Sequence, residues 1–305
     1  MPAARIRETI AKCLAEVELS SVDDQEKALQ TLYSVSKVSP QNRNLLAQTE
    51  NAIPSILRLT KASSSFIQIL SLSILFNLSL NPDLKPSLSE MGIISHLNSI
   101  IVSPLSSQSL RLASSLVCSL AMLDKNKAKF GVAGTVQVII KAIAGPRGPA
   151  AHHLLSSLAE LMQFHGNCTL AVRSGAVEVL LKVVESPDGD DLTGISLAVL
   201  SLLARFNEGL IAITKTEHIV SSMVDVLKGT CMLSKEGAAD ILVRLFDESE
   251  GCVRDALRLP DITVMLADLS VRGSSRAREK AALLMKKLTD ANYGYVDGDA
   301  LFLKW

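Results

Sequence analysis

The sequence has no net charge to spend on a polyanion: 31 Lys and Arg are offset by 31 Asp and Glu. No run of basic residues stands out, so no phosphate-tracking groove and no attraction to an anionic membrane surface is expected. Cysteine is scarce and badly spaced for metal or redox work. Cys13, Cys118, Cys168, Cys231 and Cys252 are odd in number and contain no C-x-x-C pair, which reads as small buried apolar residues. The first ten residues, MPAARIRETI, hold Arg5, Arg7 and Glu8 and lack a signal-peptide core. No G-x-G-x-x-G, P-loop, H-E-x-x-H or G-x-S-x-G pattern occurs. His152 and His153 are neighbours on one helix, about 100° apart, and cannot share a metal. Carboxylates such as Glu160 and Asp240 belong to different parts of the chain and converge on no cleft by any sequence rule. Neither catalytic residues nor a metal or cofactor site is expected.

What the sequence has in abundance is apolar residues, 48% of 305, placed with a long period. Between Asn167 and Gly209 three helices are expected. A short one to Arg173 ends at Gly175. A second, Ala176 to Glu185, carries Val177, Leu180, Leu181 and Val184 on one face. A third, capped by Asp190 or Asp191, carries Leu192, Ile195, Val199, Leu202, Leu203 and Phe206. Such a unit cannot bury its face alone and needs neighbours of its own kind. The neighbours are present. Aligned on the second helix, Ile53, Ile94, Val136, Val177, Ile219 and Ile262 follow one another at steps of 41, 42, 41, 42 and 43. Late in the third helix, Leu78, Leu120, Leu161, Leu203, Leu245 and Leu288 step by 42, 41, 42, 42 and 43, in phase with the first series. A period near 42 with three helices per unit predicts an all-α, armadillo-type solenoid, a right-handed superhelix; paired HEAT helices are the competing architecture.

The expected layout is a partial capping repeat over 1–41, then six repeats at about 42–82, 83–125, 126–166, 167–209, 210–249 and 250–290. An aromatic tail, 291–305, falls outside the period. The charge-free stretch from Ala62 to Pro82 is long enough to span a bilayer. It also holds six serines, Gln68 and Asn77 and keeps the repeat register, so a buried solenoid helix is expected and no membrane span. His165 is expected near the end of a third helix, where an imidazolium would suit the dipole. The tail carries Tyr293, Tyr295, Phe302 and Trp305, four of the eleven aromatics, and is expected either to cap the last repeat or to dock a partner.

Several segments resemble known sequences. Asn126-Lys127-Ala128-Lys129 with Ala133-Gly134-Thr135-Val136, and Val172-Arg173-Ser174-Gly175-Ala176-Val177, resemble the first-to-second helix junctions of armadillo repeats. Val271 to Leu288 (VRGSSRAREKAALLMKKL) looks like the final repeat of plant armadillo proteins that carry a U-box, and Ser20 to Arg43 is similar to the opening of those arrays. The resemblance spans about residues 4–290. It implies a non-catalytic scaffold that binds a protein or extended peptide, such as a signalling kinase or a ubiquitination component, in the cytoplasm or the nucleus, as a monomer. A U-box is a compact module of about seventy residues and is not expected in the short stretch before the repeats, where no Cys-Pro-Ile-like start is found. The second function class is therefore the substrate-recognition part of a U-box-type ubiquitin ligase, the ligase module being absent here. The resemblance further puts a peptide groove along the third helices, at Ser34, Asn77, Ser119, Glu160, Leu202, Arg244 and Lys287. Only Asn77 matches the backbone-fixing asparagine of nuclear-import adaptors. Their tryptophan shelf is replaced by Ser73, Ser115, Ser156, Ala198, Asp240 and Leu283, so a nuclear-signal receptor is not expected.

Overall fold

The computed structural model describes residues 3–302 apart from 20, 147 and 187–188; for 19, 190 and 293–302 it describes the backbone only. All regular structure among the described residues is helical. The chain forms two compact units, residues 1–167 and 168–305.

The first unit opens with a pair, α1 (Ala3–Leu19) and α2 (Val22–Val38). Ile10, Cys13, Leu14 and Val17 form the buried stripe of α1 and meet Leu29 and Leu32 of α2. Triplets follow. The first is α3 (Pro40–Gln48), α4 (Ala52–Leu59) and α5 (Ser65–Ser79). A 3-10 turn, Pro82–Leu84, leads into α6 (Lys85–Leu88), α7 (Met91–Val102) and α8 (Ser107–Ala121). The third triplet is α9 (Asp124–Val132), α10 (Thr135–Ala144) and α11 (Ala151–Leu161). The last helix of each group packs on the last of the next, α2 on α5, α5 on α8 and α8 on α11. Leu78, Leu120 and Leu161 lie fully buried in those contacts.

α12 (His165–Arg173) carries the chain across the division into the second unit. There α13 (Ala176–Val184) and α14 (Asp190–Leu203) complete one triplet. α15 (Asn207–Thr214), α16 (Ile219–Lys228) and α17 (Met232–Glu248) form the next. α18 (Glu250–Leu257), α19 (Ile262–Arg272) and α20 (Ser275–Phe302) form the last. α14 packs on α17 and α17 on α20, with Leu203, Leu245 and Leu288 buried.

Local chemistry explains where the helices begin. Ser21, Ser64 and Ser106 cap α2, α5 and α8, each side-chain oxygen accepting an N–H three residues on. Ser274 does the same for α20, accepting from Ala277 at 3.2 Å. The aspartate expected to cap α14 does not: Gly189, at φ 109°, holds the cap position and Asp190 is the first helical residue. Second helices start from a left-handed residue, Asn51 (φ 58°) before α4, Gly134 (φ 78°) before α10, Gly175 (φ 76°) before α13 and His218 (φ 60°) before α16. His218 thus takes the glycine conformation without being glycine. It also corrects the register, because counting from the left-handed residue pairs Val220, not Ile219, with Val177. Both are buried. In the second triplet of unit one the bend is built differently. Glu90 caps α7 in extended conformation and Gly92 falls inside the helix.

α5 is the charge-free helix. Ten of its residues are buried, serines and Asn77 included. No single helix among the described residues is long and apolar enough to cross a membrane; α5 and the segment Pro82–Leu88 pass only as a pair, bent by 112°. At the C-terminus α20 runs on without interruption past residue 291 to Phe302, so the segment outside the repeat period continues the last helix. His165, expected near the end of a third helix, instead opens α12.

Two outcomes follow for stability. Leu120→Ala and Leu161→Ala should each cost about 2–5 kcal/mol in denaturant melts, since both side chains are wholly enclosed. His218→Gly should raise stability by about 1 kcal/mol, whereas Gly175→Ala should lower it by about 1–2 kcal/mol, because a Cβ in the left-handed region clashes with the following carbonyl. Equal melting of His218→Gly and the parent would show that the bend stores no strain.

Candidate protein-binding face

In unit one the last helices of successive groups, α2, α5, α8 and α11, present the row that the sequence singles out. Ser34 is exposed and donates to the Gln30 carbonyl of its own helix at 2.9 Å. The others are engaged between helices. Asn77, 9% exposed, donates its Nδ2 to Ser36 Oγ of α2 at 2.9 Å. Ser119 donates to the Ser79 carbonyl of α5 at 3.2 Å, and its own carbonyl accepts from Lys85 Nζ at 2.6 Å. Glu160 pairs with Lys127 Nζ at 2.9 Å, which also holds Asp124 at 2.6 Å. Burial opposes the charge on Lys127, but its bonds to Asp124 and Glu160 prevail and raise its pKa. Lys85, whose ammonium donates to the Ser119 carbonyl, is instead pushed down by burial.

A second polar set, not anticipated from the sequence, lies at the first helices. Asn42, Asn126 and Asn167 donate to the carbonyls of Val35, Leu120 and Leu161, at 3.1, 3.0 and 3.0 Å. These satisfy acceptors that the ends of α2, α8 and α11 leave open. The available signal was the spacing: Asn126 and Asn167 follow the buried leucines Leu120 and Leu161 by six residues, and Asn42 follows Val35 by seven.

Three or four residues beyond Ser34, Asn77, Ser119 and Glu160, at the C-terminal ends of the third helices or just past them, stands an exposed apolar row. Val38, Leu80, Met122 and Phe164 are spaced 42 residues apart and are 74, 50, 63 and 40% exposed. The same position in unit two reads Phe206, Glu248 and Asp290, so the row turns acidic there.

In unit two, Leu202 is half-buried, Arg244 meets Asp240 at 3.3 Å and Lys287 pairs with Asp247. Asp240 also receives Lys280 at 2.8 Å. Burial works to raise the Asp240 pKa, but the Lys280 hydrogen bond and charge, with Arg244, hold it below the usual carboxylate range. A cleft of about 380 Å³ lies between α14, α17 and α20, with Ala198, Ser201, Asp240 and Arg276 on its walls and Leu233, 65% exposed, at its edge. Ala198 and Asp240 are two of the shelf positions. The Tyr293, Tyr295 and Phe302 side chains, and the whole of Trp305, lie outside the described residues.

No group of three or more His, Cys, Asp or Glu among the described residues is arranged to hold a metal. His153 Nδ1 sits 3.0 Å from Ser115 Oγ, and the His152 and His153 rings meet edge-on at 5.7 Å. All five cysteines are free thiols. Burial raises four of them, Cys168 to about 11, which keeps them protonated and unreactive at neutral pH.

A sequence model described as the plant U-box protein ARM repeat region matches residues 5–297. The chain belongs to that family. Within this armadillo-repeat family, it is 25% identical over 285 residues to U-box domain-containing protein 17 of Arabidopsis thaliana, covering 90% of this chain and 38% of that protein. It is 35% identical over 120 residues to U-box domain-containing protein 1 of Medicago truncatula, covering 38% of this chain and 17% of that protein. The chain thus spans well under half the length of these curated relatives. Among solved structures, an engineered protein superimposes with a TM-score of 0.78 at 17% identity, over 93% of this chain and 72% of that one. Computationally designed armadillo repeat proteins for modular peptide recognition give 0.68 at 14%, over 76% of this chain and 98% of that one. These likenesses bear on the fold alone, and they agree with the armadillo arrangement of triplets.

The ion pairs around the third helices make a titratable contribution. Because Asp240 is held below its unfolded value, its stabilisation is present above the ordinary carboxylate pKa and is lost as pH falls through the folded value. Asp240→Asn should therefore cost about 1 kcal/mol at neutral pH, with the difference from wild type closing below about pH 3. Glu160→Gln, which leaves Lys127 with Asp124 alone, should cost about 1–3 kcal/mol. Chemical melts across pH read both.

Proposed function

We propose that this armadillo array is a non-catalytic protein-binding scaffold, and that the third-helix faces take an extended segment of a partner protein. The observation that carries the reading is the row Val38, Leu80, Met122 and Phe164, one exposed apolar side chain per repeat, set beside Ser34, Asn77, Ser119 and Glu160. Apolar residues exposed at a regular interval along one face cost solubility and are retained where something covers them. The adjacent polar row is largely engaged within the protein, so partner selection falls to the apolar row and to the serines at Ser73, Ser115 and Ser156. In unit two the cleft beside Leu233, with Asp240 and Arg276, supplies charged contacts, and Leu202, Arg244 and Lys287 border the same helices. A partner that is a signalling kinase or a ubiquitination component, met in the cytoplasm or nucleus, fits the family. The zero net charge argues against nucleic acid.

A second reading rests on family membership: the array selects substrates for a ubiquitin ligase whose U-box acts elsewhere in sequence or in trans. Two experiments address these readings. An unbiased peptide-display selection against the chain should enrich sequences with recurrent apolar residues, and Leu80→Glu/Met122→Glu should weaken those hits at least about tenfold. Unchanged binding by that variant would move the site off this face. Incubation with ubiquitin, activating enzyme and a panel of conjugating enzymes should build no chains; robust chain formation would overturn the non-catalytic reading.

A further inference from the structure

Away from the third-helix faces, unit one has a cleft of about 350 Å³ between α4 and α7. Its floor is apolar, from Pro54, Leu57 and Ile93, and three basic side chains, Arg58, Lys61 and His96, stand on its walls. Neither Arg58 nor Lys61 has a carboxylate partner among the described residues. That is unlike the ion-paired Lys127, Lys280 and Lys287 elsewhere. Gly92 borders the cleft with nothing within 4 Å of where a Cβ would stand, so that wall stays open.

His96 is held in place rather than left loose. Thr60, fully buried, is anchored through its carbonyl by Gln68 Nε2 at 2.9 Å. Its hydroxyl donates to the Leu57 carbonyl at 2.6 Å. The hydroxyl oxygen is then free to accept, and His96 Nε2 lies 2.6 Å from it. The Nε2 position therefore carries the hydrogen, and the site open to further protonation is Nδ1, with Ser99 Oγ at 3.3 Å.

We infer that the Arg58–Lys61–His96 cleft is a binding site for a phosphomonoester anion. The chemistry suits that class. A guanidinium forks onto two phosphate oxygens, an ammonium adds a point charge, and an apolar floor receives the carbon that bears the phosphate. The volume exceeds what a bare anion fills and falls in the range of small-ligand sites. Glu90 is the one acid on the wall and opposes the anion.

The site is also proton-linked. Burial first and the Lys61 charge second keep His96 below its ordinary pKa. A bound anion offsets the Lys61 charge and draws a proton onto the ring, so His96 favours binding more as pH falls. Arg58, Lys61 and Glu90 are the charged groups on the cleft walls around it.

Titration calorimetry of the full chain tests this with three probes: a blocked Ala-phosphoserine-Ala peptide, its unphosphorylated twin, and inorganic phosphate. The phosphopeptide should bind saturably and at least about tenfold tighter than the twin. Inorganic phosphate binding as tightly as the phosphopeptide would identify the free anion as the ligand, whereas a clear advantage for the peptide would identify a phosphorylated side chain. Arg58→Gln/Lys61→Gln should weaken phosphorylated probes at least about tenfold, and Glu90→Gln should strengthen them by about twofold or more. Phosphate ionises further near pH 6, which by itself strengthens binding as pH rises. The His96 effect is therefore read as the difference between wild type and His96→Gln from about pH 6 to about pH 8. Absence of saturable binding by either phosphorylated probe, an unchanged affinity in Arg58→Gln/Lys61→Gln, or identical pH profiles for wild type and His96→Gln would overturn the inference. Circular dichroism of the exposed-residue variants guards against unfolding.

Discussion

No triplet in this chain can bury its third helix by itself, and that shortage organises the rest. α8 shows it most clearly. Leu116, Val117 and Leu120 are wholly enclosed, and α5, α7 and α11 all pack on that one helix. Each third helix that carries one of these leucines packs both on its own second helix and on a neighbouring third helix, so the fold propagates by contact between like parts. The sharp bend before each second helix serves this end. A left-handed residue at Asn51, Gly134, Gly175 or His218 turns the chain within one residue and lets the second helix lie back against the third. The conformation is what the packing demands, and glycine is only the cheapest residue that adopts it.

Close stacking then creates a polar problem. Third helices end inside the stack, and their last carbonyls face protein rather than water. Asn126 and Asn167 answer it with side-chain amides, and Lys85 answers it with an ammonium bonded to the Ser119 carbonyl. Lys127 is enclosed further, with 4% of its side chain exposed, and is kept charged by Asp124 and Glu160. These solutions use up residues that a groove would otherwise offer. Asn77 and Glu160 stand at positions the resemblance assigns to a groove, yet each is committed to a neighbour within unit one.

How much of this the sequence discloses depends on the range of the interaction. The helical content, the period and the buried leucines are legible because they repeat, and six in-phase copies average away local noise. The capping serines are legible at Ser21 and Ser274 because a cap acts within three residues. The bend at His218 hides, since nothing in a histidine announces a positive φ, and the register slip of one residue at Ile219 follows from it. The second-unit cap at Gly189 hides for the opposite reason, two aspartates beside it being better caps by composition. Contacts between repeats are least legible. Asn77 with Ser36, or His96 with Thr60, join residues 41 and 36 apart whose pairing depends on the rotation of each helix.

The two units therefore carry one architecture with two surface chemistries. In unit one the third-helix face is built from serine and exposed aliphatic or aromatic side chains, and the buried Lys127 is neutralised by Asp124 and Glu160. In unit two the same positions bring Asp240, Arg244, Lys280 and Lys287 into ion pairs close to solvent. An ion pair at a surface contributes little to stability and screens readily, whereas an exposed apolar row keeps its attraction at any ionic strength. On the reading proposed above, a partner lying on unit one would be selected chiefly by shape and hydrophobicity, and salt should leave that selection intact. On the same reading, a partner lying on unit two would have to break or join existing ion pairs, so its association would depend on salt and on the protonation of Asp240. The repeat supplies the frame, and the residues free of internal duties decide what the frame holds.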